Sequence, residues 1–354
     1  MKYRKFIHTA LAAALACGVS SCIEPMFEYE GDCEVVHRVR FRYERNLKWA
    51  DAFPAEVKSV HLYAFDEAGV FVKDYRGAGE ALSQPGYSIR LDLPAGRYRF
   101  VAWCGLEDEG TAEASFRVPQ PEPGVTGIEE LTCSLRSLSK GAAESDTQLG
   151  FLYHGYLEAT LEDLQDGTEY EYTIDLTKDT NHVRIILQEL SSDVDMQPGD
   201  YSFTIEAANG FMEYDNTPSG NDLITYRPWK QTSDEVGVGK IDVADGSVKY
   251  IKGIIADLSV ARLMASQQEE LMLTIVNESA ADKPVVARVP LIQYALLSRS
   301  YYEAAYGHAM DPQEFLDRED EYVMTFFLFN RRWLDAYIDI HQWRIVFHDY
   351  DVGS

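Results

Sequence analysis

The 354-residue sequence is poor in positive charge and in cysteine. It has 32 lysines and arginines against 58 aspartates and glutamates, which gives a formal net charge of −26. Binding to nucleic-acid phosphates requires a basic surface, so this composition excludes nucleic acid as a partner. The excess of acidic residues is instead typical of an exposed protein kept in solution by its charge.

The five cysteines are too few, and wrongly spaced, for a disulfide framework or a zinc site. No CxxC pair is present, so structural zinc and thioredoxin-type redox chemistry have no support. Cys104 and Cys133 could form one bridge. Alternatively, Cys33, Cys104 and Cys133 could all be thiols, mostly buried. The sequence leaves both possibilities open.

Catalytic and ligand-binding motifs are also missing. There is no GxSxG or HExxH motif, and the eight histidines show no spacing typical of metal ligands. The "GVGK" at 237–240 lacks the Ser/Thr of a phosphate loop, and "DVADG" at 242–246 is too short for a calcium loop. Pairs of carboxylates are uninformative at this acidity. We therefore predict no enzyme activity, no cofactor, no metal and no small-molecule substrate.

The sequence contains no apolar run of about 20 residues, the length needed to cross a bilayer as a helix. The longest apolar stretch, Phe6–Val19, is shorter and follows the basic residues Lys2, Arg4 and Lys5. A basic segment followed by a short apolar segment is typical of a secretory signal peptide, here predicted to be residues 1–21.

Small residues lead directly into a cysteine at Val19-Ser20-Ser21-Cys22. This tetrapeptide resembles a bacterial lipobox, in which a peptidase cleaves between Ser21 and Cys22 and the cysteine carries lipid. More than one acyl chain on Cys22 would anchor the chain stably. Removing three positive charges with the signal peptide would leave a net charge of −29.

The predicted leader, residues 22–34, is rich in acidic residues. It resembles the export signal that takes some Bacteroidetes lipoproteins to the outer face of the outer membrane. We therefore expect a protein held at the outer membrane by lipid on Cys22 and exposed at the cell surface.

Alternation of apolar and polar residues dominates the chain after residue 34. Val183, Ile185 and Leu187 in "NHVRIILQEL" show the period of two that is typical of a half-buried strand. Similar stretches recur at short intervals with turn residues between them, which predicts an all-β sandwich architecture. About 330 residues exceed one ordinary domain, so we predict two β-sandwich domains, residues 35–178 and 179–354.

Turn signals predict several hairpins. They lie at "DEAG" (66–69), at Pro94-Ala95-Gly96, beside Asp166-Gly167 and at Asn209-Gly210. Residues 107–124 and 215–247 are polar and rich in turn residues, which predicts surface segments, the second with one apolar island around Ile224 to Trp229. Asp311 followed by Glu314 predicts a capped short helix within the insert 298–320.

Several blocks of the sequence resemble one family, that of the FimB-like fimbrial anchor lipoproteins of Bacteroidales, which hold type V pili to the outer membrane. The blocks are "VRFRYERNLKWADAFPAEVKSVHLYAFDEAGVFV" (39–72), "GEALSQPGYSIRLDLPAGRYRFVAWCGL" (79–106), "TNHVRIILQEL" (180–190), "EFLDREDEYVMTFFL" and the closing "WRIVFHDYDV". They span nearly all of the chain after the leader. Residues 215–247 match nothing in the pattern.

The resemblance implies two tandem transthyretin-like β-sandwich domains without catalysis, and fimbrial pilin subunits as partners. Related pilins assemble when a strand of one subunit completes the sheet of the next, which is a form of β-augmentation. The joining element would be the C-terminal strand, Trp343, Arg344, Ile345, Val346 and Phe347, or an exposed edge near residues 35–43. Both could equally be ordinary core strands. The alternatives are a surface lipoprotein that binds a glycan or host ligand, with aromatic residues as its platform, and an adhesin at the fimbrial tip.

Overall fold

The computed structural model describes residues 35–106, 114–139, 143–163, 168–191, 196–220, 222–241, 248–340 and 343–347. Strands dominate these residues, and the predicted all-β class is confirmed. In chain order the strands are β1 (Val36–Arg42), β2 (Ser59–Asp66), β3 (Phe71–Ala78), β4 (Ser88–Leu91), β5 (Gly96–Cys104), β6 (Phe116–Arg117), β7 (Cys133–Leu135), β8 (Glu144–Ser145), β9 (Tyr153–Leu161), β10 (Glu169–Asp175), β11 (Thr177–Lys178), β12 (Thr180–Glu189), β13 (Tyr201–Ala207), β14 (Phe211–Met212), β15 (Ile224–Tyr226), β16 (Lys230–Ile241), β17 (Val248–Ala261), β18 (Met272–Asn277), β19 (Val285–Pro290), β20 (Glu321–Phe329), β21 (Arg332–Ile340) and β22 (Trp343–Phe347).

Within the described ranges, five short helices interrupt the strands. They are α1 (Phe53–Glu56), α2 (Arg136–Ser139), α3 (Leu291–Leu296), α4 (Arg299–Tyr306) and α5 (Pro312–Arg318). Asp311 caps α5 as predicted, because its Oδ1 accepts a hydrogen bond from the Glu314 amide at 2.9 Å. Short 3₁₀ turns lie at Gly79–Ser83, Ile128–Glu130, Pro198–Asp200 and Ala265–Gln267.

Two sheets form the sandwich of the first part of the chain. One has the order β10-β1-β4 and the other the order β11-β9-β5-β2-β3. Apolar residues of both sheets, such as Phe41 and Ile89 from the first and Leu62 and Phe100 from the second, belong to one buried cluster. The period-two alternation of these strands therefore places one face of each sheet in a shared core.

The five-stranded sheet is buried on its other face too. Tyr63, Phe65, Val101 and Trp103 alternate with the residues of the first cluster and belong to a second one. That second cluster also contains Val183 and many other residues between 183 and 328. Strands β2 and β5 are therefore apolar along most of their length, as expected for strands covered on both sides.

The second part of the chain contributes a six-stranded sheet, β16-β17-β12-β20-β21-β22, and most of a five-stranded sheet, β19-β18-β13-β15-β8. Val183, Ile185 and Leu187 of β12 are fully buried, as their alternation predicts. Strand β12 runs antiparallel to β17 but parallel to β20, with His182 opposite Glu321.

Two strand pairings connect the parts of the chain on either side of the predicted boundary at 178/179. Residues 144–145 of β8 pair in parallel with Thr225 and Tyr226 of β15. Residues 133–134 of β7 pair antiparallel with Phe211 and Met212 of β14, in a three-stranded sheet β14-β7-β6. The assignment of two domains at that boundary stays a prediction.

The predicted hairpin at 66–69 is present. Strands β2 and β3 pair antiparallel on either side of it, and Gly69 has a φ of +79°, which a residue with a side chain rarely adopts. Three other predicted hairpins are wrong, because their strands enter different sheets. These are β4 with β5, β9 with β10, and β13 with β14. The turn residues were recognised, but a turn does not determine whether the next strand pairs with its neighbour or crosses to the facing sheet.

Two predicted surface segments also contain core structure. Within 107–124, Phe116 and Val118 are 3% and 4% exposed, and Phe116 lies in β6. Within 215–247, β15 and β16 are strands, and β16 pairs with β17 at the edge of the six-stranded sheet. Polar composition hid β6 and β16, since an edge strand with one solvent-facing side needs few apolar residues.

The possible disulfide between Cys104 and Cys133 is not formed. Both thiols are buried and reduced, each in a different apolar cluster. Burial raises the pKa of the Cys104 thiol well above its usual range, so it is held as an unreactive thiol. Cys33 lies outside the described residues.

Candidate functional site

The predicted lipidation site lies outside the part of the chain that the structure describes. Ser21 and Cys22, the residues of the predicted cleavage and lipid attachment, precede residue 35. Among the described residues, no helix is both long and apolar enough to cross a bilayer. Lipid attachment at Cys22 therefore stays a prediction from the sequence.

The predicted joining strand is the last strand of the six-stranded sheet. β22 has the predicted bounds Trp343–Phe347 and occupies the end of the sheet order, where it pairs antiparallel with β21 alone among the described strands. An edge strand presents its outer backbone N–H and C=O groups to any strand that approaches. The position of β22 suits strand addition, and its role in partner binding stays a prediction.

The strand pairing relates β22, through β21, to the core strand β20. Ile345 lies opposite Ile338 of β21, which lies opposite Met324 of β20, a residue only 1% exposed. Ile345 and Phe347 therefore stand in register, through β21, with alternate residues of β20. Among the described strands, β22 has β21 as its neighbour.

The second predicted joining element is wrong. Strand β1 (Val36–Arg42) is the central strand of its sheet, between β10 and β4, and its backbone is therefore paired on both sides. Alternation predicted the strand correctly. It could not show the position of the strand, because central and edge strands that cover one core have the same period.

The structure contains a buried cluster of charged residues that the sequence did not predict. Arg262, after β17, donates from Nη2 to Asp317 of α5 at 2.9 Å and from Nη1 to the carbonyl of Asn216. Arg45 approaches the other oxygen of Asp317 at 3.4 Å. These residues lie far apart in the chain, and no local spacing indicates that they meet.

Asp179, which follows β11, is fully buried at the same place. Its Oδ1 accepts a hydrogen bond from Asn216 Nδ2 at 2.8 Å and lies 3.7 Å from Arg262 Nε. Its Oδ2 and the Asn216 Oδ1 are both buried without a hydrogen-bond partner among the residues that the structure describes. Burial raises the pKa of Asp179 to about 7, although Arg262 and Asn216 favour the charged form.

Glu319 is a second buried carboxyl, between α5 and β20. It accepts hydrogen bonds from the Tyr302 hydroxyl at 2.8 Å and from the Glu321 amide at 3.0 Å. Burial raises its pKa to about 7. Two such carboxyls invite an acid–base interpretation, but both are enclosed by structural partners. Among the described residues no group of His, Cys, Asp and Glu is arranged to hold a metal ion.

Comparison with known proteins identifies one family. The sequence profile of the fimbrillin-A associated anchor proteins Mfa1 and Mfa2 matches residues 29–349. The minor fimbrium anchoring subunit Mfa2 of Porphyromonas gingivalis is 25% identical over 229 residues, which is 64% of this chain. The alignment spans 66% of that relative, slightly less than two thirds of its length.

Solved structures share the fold over most of the chain. A candidate adhesin of Bacteroides thetaiotaomicron is 32% identical, with a TM-score of 0.73 over 87% of this chain and 96% of that one. A candidate polysaccharide-binding protein of the same species is 25% identical, with a TM-score of 0.71 over 89% and 99%. The fimbrial anchor protein Mfa2 of P. gingivalis has a TM-score of 0.63 at 18% identity over 89% and 99%, a likeness of fold. Since the profile covers most of the sequence, the chain belongs to the family of fimbrillin-A associated anchor proteins Mfa1 and Mfa2.

Proposed function

We propose that this chain is a non-catalytic subunit that anchors a fimbrium to the outer membrane through lipid on Cys22 and joins pilin by strand addition. Membership of an anchor-protein family supports a fimbrial accessory role. The position of β22 at the end of the six-stranded sheet carries the strand-addition part, because a sheet edge is the place where a partner strand can pair. The lipobox-like Val19–Cys22 supports the membrane part.

The membrane part is tested with Cys22→Ala in the native host. Without lipid, we expect the protein and its fimbriae to be shed together into the medium, and an alkyne-labelled fatty acid no longer to be incorporated. Cys33→Ala is the matched control, since it removes a nearby cysteine and should leave both labelling and attachment unchanged. Fimbriae that remain attached to Cys22→Ala cells contradict the anchor function.

The strand-addition part is tested with a photo-crosslinking amino acid at Arg344 or Val346 in β22. We expect crosslinks to a pilin subunit from these positions. The control position is Val285 of β19, which is 58% exposed and lies at the edge of another sheet. Equal pilin crosslinking from β19 and β22, or crosslinking from β19 alone, would show that β22 is not the joining strand.

A further inference from the structure

A rigid loop follows β1 and presents a tryptophan. Asn46, only 6% exposed, donates from Nδ2 to the carbonyls of Tyr43 and Ala50, both at 2.8 Å. Asp51 Oδ1 accepts hydrogen bonds from the amides of Tyr43 and Phe53 at 2.9 and 3.0 Å. Two side chains thus fix the loop backbone from both ends.

Trp49 lies at the tip of this loop and remains 38% exposed. Its φ of +53° is a conformation that a bulky residue adopts only at a cost of about 1–3 kcal/mol. Such backbone strain persists where the surrounding structure enforces it. The Arg318 guanidinium lies 4.0 Å from the centre of the Trp49 ring and donates to the Glu44 carbonyl at 3.0 Å. The indole is therefore held in one orientation.

Two further exposed rings extend this aromatic surface. Tyr306, at the end of α4, is 50% exposed and its ring lies 6.1 Å from that of Trp49. The His308 side chain is 52% exposed and meets the indole edge-on at 5.2 Å. Exposed aromatic rings in a fixed arrangement are typical of a recognition surface.

An open cleft of about 260 Å³ adjoins Trp49. Its lining residues are Arg42, Glu44, Arg45, Trp49, Asp175 and Arg318. Within this lining, Arg42 Nε donates to Asp175 Oδ1 at 2.8 Å. The Arg45 side chain is 52% exposed and that of Asp175 is 54% exposed, so both keep part of their hydrogen-bonding capacity accessible at the cleft. The cleft combines a flat apolar surface with hydrogen-bonding groups of both kinds.

A second cleft provides a comparison within the same chain. It has a volume of about 210 Å³ and is lined by Glu67, Arg97, Tyr98, Arg99 and Glu158. Its arginines and glutamates supply a guanidinium–carboxylate lining like that of the first cleft. Its aromatic residue, Tyr98, is only 8% exposed and donates its hydroxyl to the Pro94 carbonyl. The second cleft therefore has the polar groups without the exposed aromatic surface.

We propose that the Trp49 cleft, lined by Arg42, Arg45 and Asp175, binds a neutral saccharide. The C–H face of a sugar ring is apolar and flat and can cover the part of the Trp49 indole that Arg318 leaves exposed, while its neighbouring hydroxyls both donate and accept hydrogen bonds. Arginines and carboxylates side by side suit such hydroxyls. The net charge of −26 disfavours a polyanionic glycan, which the whole protein would repel. This function is additional to fimbrial anchoring and does not depend on it.

The test is titration of the full mature chain with four neutral probes: maltotriose, mannotriose, lactose and chitotriose. Binding is measured by calorimetry and by saturation-transfer NMR. We expect at least one probe to bind with a Kd below about 1 mM. Trp49→Ala and, separately, Arg45→Ala should weaken that binding at least about tenfold. Arg97→Ala, the matched change in the second cleft, should leave it unchanged.

Folding of each variant is checked by its thermal midpoint, and Asp175→Ala provides a further lining substitution if Trp49→Ala is unstable. The proposal is overturned if no probe binds in this range, or if folded Trp49→Ala, Arg45→Ala or Asp175→Ala binds as tightly as wild type. It is also overturned if the same substitutions abolish capture of a fimbrial subunit and no saccharide binds, because the cleft is then a protein interface.

Discussion

At the scale of single residues, the buried carboxyl of Asp179 links stability to pH. Its pKa rises from 3.8 to about 7 on folding, so between these values the native state binds more protons than the unfolded chain. The contribution of Asp179 to the free energy of unfolding therefore falls as the pH rises from about 4 to about 7.

Asp179→Asn should remove this contribution. The side-chain amide introduced by the substitution carries no charge at any pH, and it can donate to the Asn216 Oδ1, which has no hydrogen-bond partner in the described part of the chain. We expect the urea midpoint of the variant to exceed that of wild type at about pH 7.5 and the difference to shrink towards pH 4. The measurement is urea unfolding of both proteins across this range.

Asp215→Asn is the control, because it makes the same change at an exposed neighbouring position. It should follow the pH dependence of wild type. A difference between Asp179→Asn and wild type that does not vary with pH would show that Asp179 is not protonated on folding.

At the scale of elements, the start of α5 depends on one side chain. Asp311 accepts from the Glu314 amide, one of the first-turn donors that the helix itself leaves without a partner. Asp311→Ala should lower the free energy of unfolding by about 1 kcal/mol, as loss of an N-cap does. Asp311→Asn keeps a capping oxygen and should cost much less. Equal losses in the two variants, measured by urea unfolding, would mean that the cap does not stabilise α5.

The sequence predicted strands better than it predicted their partners. The alternation of Val183, Ile185 and Leu187 gave β12, because a strand covered on one face shows its period directly. The sequence did not show that β4 and β5 belong to different sheets. Both strands contribute to one core, and their apolar pattern is the same whether they pair in one sheet or pack across from each other in two. Strand β16 was missed because its polar exposed side resembles a loop.

The candidate sites show the same limit. The bounds of β22 and the cap at Asp311 follow from local patterns of a few residues. The Trp49 cleft does not, because Trp49, Asp175 and Arg318 come from three separate segments. The cluster around Arg262 likewise joins Asp179, Asn216 and Asp317 only in three dimensions. Contacts between such distant segments can be identified only from the tertiary structure.

At the scale of the whole molecule, the pairings of β7 with β14 and of β8 with β15 join the two parts of the chain through backbone hydrogen bonds. Phe116 and Leu135 lie in the same cluster as residues of β12 and β13. We therefore expect residues 35–347 to unfold in one cooperative transition. Calorimetry checks this, since the van't Hoff and calorimetric enthalpies should agree. Two resolved transitions would show that the parts on either side of residue 178 unfold independently.

The parallel pairing of β12 with β20 has a consequence for the order of folding. Strand β12 lies near the middle of the chain, and its pairing with β20 begins at His182 opposite Glu321, so β12 must wait for a partner that is much later in the sequence. Contacts between residues so far apart slow folding, because a long loop must close before the pair gains any stability. The six-stranded sheet therefore forms late in folding, and until the chain up to Leu328 is available to fold, β12 lacks its partner on that side.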